Sequence, residues 1–124
     1  MHNGPIYRAT AEGDFRSGFH VLDRHCNGLG FLHGGMISAF ADGALAWGVW
    51  NRTERLSVTL KLTLSFLDII RLGSWVEAKP VVTAVDGDLV YAHALIRVVA
   101  GAGSDENAAA RADAVFRLLR RRKP

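Results

Sequence analysis

Between Ser57 and Phe66 the chain alternates strictly, with Val58, Leu60, Leu62, Leu64 and Phe66 interleaved with Ser57, Thr59, Lys61, Thr63 and Ser65. A period of two predicts a β-strand with one buried face. Upstream, residues 35–50 are apolar almost without a break, from Met36 through Phe40, Ala44 and Leu45 to Trp50. Apolar positions all round predict a helix that is buried rather than amphipathic. Gly73 marks a turn, and residues 74–85 and 89–100 predict two more strands. Asp86-Gly87 between them is a tight hairpin signal. Pro80 predicts that the first of the two is an edge strand or carries a bulge. The second sets Val90, Ala92, Ala94, Ile96 and Val98 on one face and Tyr91 and His93 on the other.

The remaining segments are less regular. Residues 1–14 predict an irregular lead-in, 15–22 a short strand, and 23–35 a loop dense in turn formers, among them Asp23, Asn27, Gly28 and Gly30. Residues 101–107 predict a loop. For 108–122 two readings stand: alanine, arginine and leucine favour helix by propensity, while the neighbouring strands favour a last strand. One long buried helix followed by antiparallel strands gives a single α+β domain over residues 1–124, with the helix on one face of the sheet.

Composition narrows the classes. The chain has 124 residues, 49% of them apolar, enough for a core without a metal or disulfide. One cysteine, Cys26, excludes an intrachain disulfide and a multi-cysteine zinc site, and fits a reducing, cytoplasmic setting. The start, Met1-His2-Asn3-Gly4-Pro5, lacks the pattern of a signal peptide, and no apolar run reaches membrane-spanning length. The formal charge is +3, with much of the excess in Arg117, Arg120, Arg121, Arg122 and Lys123. That cluster reads as a solvated tail, with an anionic partner as the rival; neither a nucleic-acid nor a membrane role is expected. Gly28-Leu29-Gly30-Phe31-Leu32-His33 begins like a dinucleotide fingerprint but has histidine at the third glycine and no strand–helix–strand context. His20, His25, Cys26 and His33 match no standard ligand spacing, so no metal is expected.

Two features carry chemistry. Asp42 stands mid-helix among Phe40, Ala41, Ala44 and Leu45, where a carboxylate is costly unless paired or functional; it is a candidate general base or a structural carboxylate. His33-Gly34-Gly35 precedes the helix, whose first turn offers unpaired N–H groups to a carbonyl gaining negative charge. Asp42 follows Gly34 by eight residues, roughly 12 Å along a helix. One chain therefore cannot easily apply both to one carbonyl, whereas two antiparallel copies of the helix can, which predicts a twofold dimer with two sites.

The run Asn27-Gly28-Leu29-Gly30-Phe31-Leu32-His33-Gly34-Gly35, followed by Asp42, resembles the hotdog-fold thioesterases of the phenylacetic-acid-degradation type (PaaI-like). Leu64-Ser65-Phe66-Leu67 and then Gly73 resemble that family's next block. The resemblance spans about residues 20–100. It implies a central helix wrapped by a curved antiparallel sheet, a homodimer that pairs into a dimer of dimers, and an acyl-CoA substrate with no separate cofactor. By the same resemblance Asp42 activates water or acts as nucleophile, Gly34 N–H polarises the thioester carbonyl, and Asn27 orients water or thioester. His33 shapes the loop near the thioester, and Thr59, or Ser57 on a two-residue slip, assists the acid. Gly35, Phe31 and Trp47 are the substrate-binding candidates; Trp47 and Trp50 fit an acyl pocket or plain packing equally. Leu67-Asp68-Ile69-Ile70 departs from the basic residue and proline common after Phe66, leaving Arg71, Arg97 or the C-terminal arginines for the CoA phosphates. Hydrolysis of an aryl- or medium-chain acyl-CoA is the expected activity, and a non-catalytic acyl-CoA-binding regulatory module is the alternative.

Overall fold

The computed structural model describes residues 6–8, 15–99 and 107–120. Of the loop expected at 101–107, residues 101–106 lie outside them and Asn107 is strand; Arg121, Arg122 and Lys123 also lie outside, as do residues 1–5 and 9–14 of the lead-in. The elements are β1 (Tyr7–Arg8), β2 (Ser17–His20), a 3-10 turn (Asp23–His25), α1 (Gly34–Thr53), β3 (Ser57–Phe66), β4 (Trp75–Asp86), β5 (Leu89–Val98) and β6 (Asn107–Leu118). The strands form one six-stranded sheet in the order β1-β2-β4-β5-β6-β3, antiparallel throughout. Helix α1 lies on one face.

Helix α1 buries Met36, Ile37, Phe40, Ala41, Ala44, Leu45, Gly48 and Val49. It stops at Glu54, which adopts the left-handed conformation (φ 56°) and donates its N–H to Trp50 O at 2.7 Å. Alanines at 92, 94, 110, 112 and 114 are buried beneath it. The seat is tight at Gly48, where an added Cβ would come within 2.5 Å of Pro80 Cβ. Full burial, expected from the helix's composition, is not what the protomer shows. Ala39 and Trp50 are exposed, and Asp42 and Gly43 are only half-buried. One side of the helix is not covered by the described residues.

Three sequence expectations need correction. Tyr7 and Arg8, placed in an irregular lead-in, pair with Gly18 and Ser17 as an edge strand. Strand β4 is not a sheet edge, since β2 and β5 flank it. Its pairing with β2 ends at Ala78, however, so Pro80 sits where the missing N–H faces no neighbour strand; the bulge falls beyond it, between Val82 and Ala84. The third correction concerns β3. Its register on β6 shifts between Thr59, opposite Phe116, and Lys61, opposite Val115, so Leu60 is the extra residue of a bulge. Directly opposed residues share a face. Ser57 and Thr59 therefore face the helix together with Leu62, Leu64 and Phe66, and the apolar row of the sequence is split. Residues 108–118 resolve as strand, paired on both sides with β5 and β3. Val90, Ala92, Ala94 and Ile96 are buried on one face of β5, as the pattern predicted.

Candidate active site

The loop before α1 is closed by Asn27. Its Oδ1 accepts the N–H groups of Leu29 (2.9 Å) and Phe31 (3.2 Å), a side-chain mimic of a backbone turn. Its own N–H donates to Phe31 O at 2.9 Å, and Gly30, at φ 81°, donates to Asn27 O at 3.1 Å. Leu32 N–H to Ile70 O (2.6 Å), Leu72 N–H to Gly30 O (2.9 Å) and His33 N–H to His25 O (2.7 Å) tie the loop to its surroundings. The carboxamide oxygen of Asn27 is thus engaged by the loop, and only its NH2 is left to meet a ligand.

The helix start is nearly closed as well. His33 is the N-cap: its Nδ1 accepts Gly35 N–H at 3.1 Å, and its carbonyl accepts Met36 N–H (3.0 Å) and Ile37 N–H (3.2 Å). Of the four amides that a helix start leaves open, that of Gly34 alone has no acceptor among the described residues. Nothing crowds it. A Cβ at Gly34 would meet only Phe66 Cζ, at 3.8 Å. The exposed Phe66 ring therefore borders this amide.

Asp42 lies on the flank of α1 that faces β3. Thr59 Oγ1 donates to Asp42 Oδ1 at 2.6 Å. The bulge makes this contact possible, because an unbroken alternation from Leu62 would turn residue 59 to the outer face. Asp42 is half-buried rather than enclosed in the core, so its mid-helix setting overstated its burial. Its Oδ2 has no donor among the described residues. The site thus offers a carboxylate held at one oxygen and open at the other, and a free helix-start amide farther along the same helix.

A family model described as the thioesterase superfamily matches residues 29–101, more than half of the chain. The chain belongs to the thioesterase superfamily. A Pseudomonas aeruginosa protein assigned as an esterase is 30% identical over 118 residues, covering 93% of this chain and 84% of that protein. Streptococcus mutans smu.793, solved with acetyl CoA bound, is similar in structure at a TM-score of 0.83 and 20% identity, covering 97% of this chain and 93% of that one. PaaI of the Escherichia coli phenylacetic acid degradation operon gives a TM-score of 0.80 at 19% identity, covering 92% and 79%. At such identities the two structures establish the fold alone, the hotdog fold expected from the motif. Family membership makes the chain a thioester hydrolase.

The thioesterase's other candidates lie apart from Asp42. Trp47 sits on the opposite flank, under the Arg8 guanidinium, whose Cζ is 5.6 Å from the indole centroid. Arg8 comes from β1 and Thr59 from β3, the two outer strands of the sheet. Arg8 also donates to the buried Ser17 Oγ at 2.5 Å, and burial pulls its pKa below the usual arginine value. The Trp47 Nε1–H is buried and has no acceptor among the described residues. Phe31 packs under Arg71, whose Cζ is 5.6 Å from the ring centroid, and Gly35 spends its N–H on His33. Arg97 lines a groove on the sheet face away from the helix with Arg16, Glu77, Lys79 and His93. Sequence reasoning missed the Leu60 bulge and the Arg8–Trp47 stack. Neither leaves a compositional signal, because both depend on which strands are neighbours. No helix among the described residues is long and apolar enough to cross a membrane.

Proposed function

We propose that this thioesterase hydrolyses acyl-CoA at two equivalent sites built across a homodimer. The observation that carries the reading is the pairing of Asp42 with Thr59, set on the same helix as the single open amide, Gly34. Asp42 Oδ2 takes a proton from water as the water oxygen bonds to the thioester carbon. Gly34 N–H, with the Asn27 NH2, donates to the carbonyl oxygen as negative charge gathers on it. When the tetrahedral intermediate collapses, the C–S bond breaks, and the thiolate of coenzyme A takes the proton back from Asp42. The products are a carboxylic acid and free CoA, and no other cofactor enters. Direct attack by Asp42 on the carbonyl is the variant of the same scheme.

Spacing supports the dimer. Eight residues of continuous helix between Gly34 and Asp42 span roughly 12 Å, too far for both to serve one carbonyl. Strand β3 is an outer strand with one side unpaired among the described residues, and Leu56, Val58, Leu60 and Phe66 are exposed on or beside it. An unpaired apolar edge is a template for a second strand. Twofold pairing there brings the Gly34 end of one helix toward Asp42 of the other. The exposed Phe66 ring beside Gly34 supports an aryl or medium-chain acyl group, and a further pairing of dimers is consistent with the family.

The test is thiol release from a panel of aryl- and alkyl-CoA esters by the wild type and by Asp42→Ala. We expect kcat to fall by about 100-fold or more in the variant, with the dimer intact in sedimentation. Retained turnover in Asp42→Ala removes the mechanism. Tight CoA-ester binding without turnover by the wild type would make the protein a binding module instead.

A further inference from the structure

A cation without a carboxylate partner lies against the same helix that carries Asp42. Arg8 comes from β1 and is exposed, so a ligand can reach it. Its Nη2 lies 3.4 Å from where a Cβ on Gly43 would stand, and its Cζ lies 5.6 Å from the Trp47 ring centroid. Its Nη1 donates to Ser17 Oγ. No carboxylate among the described residues is within ion-pair distance of the guanidinium. Partial burial disfavours its charge, a cost that a bound anion offsets. Trp47 Nε1–H has no acceptor among the described residues, so packing and the cation hold the ring. An arginine stacked on an indole and tied to one hydroxyl is fixed in aim and keeps the rest of its planar fork for a carboxylate.

Gly43 adjoins Asp42, and successive residues stand about 100° apart round a helix. Asp42 is thus on the β3 flank of α1 and Arg8 on the β1 flank. Ala39, Gly43 and Ala46 form the crest between them, with nothing larger than a methyl group to obstruct a chain that crosses it. The flanks of a helix are roughly 10 Å apart, side chains included, the reach of about eight extended bonds of ~1.5 Å. We propose that Arg8 is a specificity-determining residue that binds a carboxylate at the far end of the acyl group, so that the preferred substrate is a dicarboxylic acyl-CoA of medium length. The assignment rests on the reading of Asp42 as the group at the thioester carbon. Coenzyme A brings phosphates of its own, but an extended pantetheine arm carries them well beyond the width of a helix from the thioester. A guanidinium beside the residue next to Asp42 therefore suits the acyl side.

Suberoyl-CoA and octanoyl-CoA have acyl chains of equal length and differ only at the far end, carboxylate against methyl. The wild type should favour suberoyl-CoA by about 10-fold or more in kcat/KM, the scale of one charge-assisted hydrogen bond. Arg8→Gln keeps a donor and loses the charge. It should lower kcat/KM for suberoyl-CoA by about 10-fold and leave octanoyl-CoA, which offers Arg8 no anion, within about twofold. Octanoyl-CoA turnover also shows that the variant is folded. A wild type that does not discriminate, or that prefers octanoyl-CoA, overturns the assignment. An equal fall for both esters overturns it too, because Arg8 would then hold the phosphates or the fold. If Arg8→Gln does not fold, Arg8→Lys, which keeps the charge without the fork, should show a smaller loss confined to suberoyl-CoA; no loss, or an equal loss for both esters, overturns the assignment. A wild type that hydrolyses neither ester removes the thioesterase reading, and calorimetric titration with the two esters then decides Arg8 separately. Tighter binding of suberoyl-CoA by the wild type, lost in Arg8→Gln, keeps the carboxylate site, and equal binding of both esters removes it.

Discussion

Strands β6 and β3 lie side by side and handle their apolar residues in opposite ways. Strand β6 buries Ala109, Ala110, Ala112, Ala114, Phe116 and Leu118. Strand β3 leaves Val58 43%, Leu60 51% and Phe66 57% exposed. Phe66 and Leu60 stand exposed on β3, while Phe116 and Leu118, of the same sizes, are buried on β6. The cause is position in the sheet: β6 has β5 and β3 on its two sides and helix α1 above it, whereas among the described residues β3 has a neighbour strand on one side only. Small residues mark where the helix must come close, with Gly48 against Pro80 as the tightest point. Large apolar residues on an unpaired edge mark where another surface is expected. The described residues cover the centre of the domain and leave its β3 edge open.

Charging the edge is the largest single insult to that contrast. In Leu60→Asp the substituted side chain is already exposed, so the far-UV circular dichroism of the protomer should not change. A carboxylate on an apolar interface should leave a monomer in sedimentation equilibrium. Turnover should fall by about 100-fold or more, because each site then lacks its second half. A fully active monomer would place Gly34 and Asp42 of one chain in the same site and refute the shared arrangement. The centre should respond differently. Gly48→Ala gains about 1 kcal/mol of helix propensity, but its Cβ would need the room held by Pro80 Cβ and Cγ, at 2.5 and 2.6 Å. A proline ring yields little, and overpacking costs about 1–3 kcal/mol. We expect a net loss near 1 kcal/mol, seen as a melting temperature lower by about 4 °C, with the dimer unaffected. A stabilised Gly48→Ala would mean that the helix is not seated so closely.

What was legible in the sequence follows the same division. The bounds of β3, the Asp86-Gly87 turn (Gly87 at φ 59°) and the buried face of β5 all follow from local pattern. Residues 108–118 were open between helix and strand because their propensity is helical. Pairing on two sides decided them, and no composition displays that. Pro80 pointed to an edge, and β4 does lose its β2 partner there, although the strand as a whole is internal. The Leu60 bulge is a one-residue offset between two strands. Polar and apolar residues alternate through it without a break, so the pattern cannot show which side Thr59 takes. In the candidate site Asp42 and Gly34 were named from the motif and Thr59, with Ser57 as its rival, from the strand that follows; the structure adds that Thr59 is the one hydrogen-bonded to Asp42. The tasks of Asn27 and His33 were not readable there, because they depend on which atom of an amide or imidazole faces the loop.

Thr59 is where the edge strand touches the chemistry, and its removal is the smallest of these perturbations. Thr59→Val keeps the shape of the side chain and deletes the donor to Asp42 Oδ1. Hydrogen bonds to charged groups contribute about 1.5–3 kcal/mol, and 1.4 kcal/mol is a tenfold change in rate. Only part of that bond's worth should reach the transition state, since Asp42 keeps its place on the helix and loses orientation alone. We expect kcat to fall by about 10-fold, KM to stay within about twofold, and the dimer to persist. Thr59→Ser, which keeps a hydroxyl, should restore most of the rate. A valine variant with unchanged kcat would mean that the bulge turns Thr59 inward for packing. The incomplete edge of the domain would then serve the partner strand and contribute nothing to the acid.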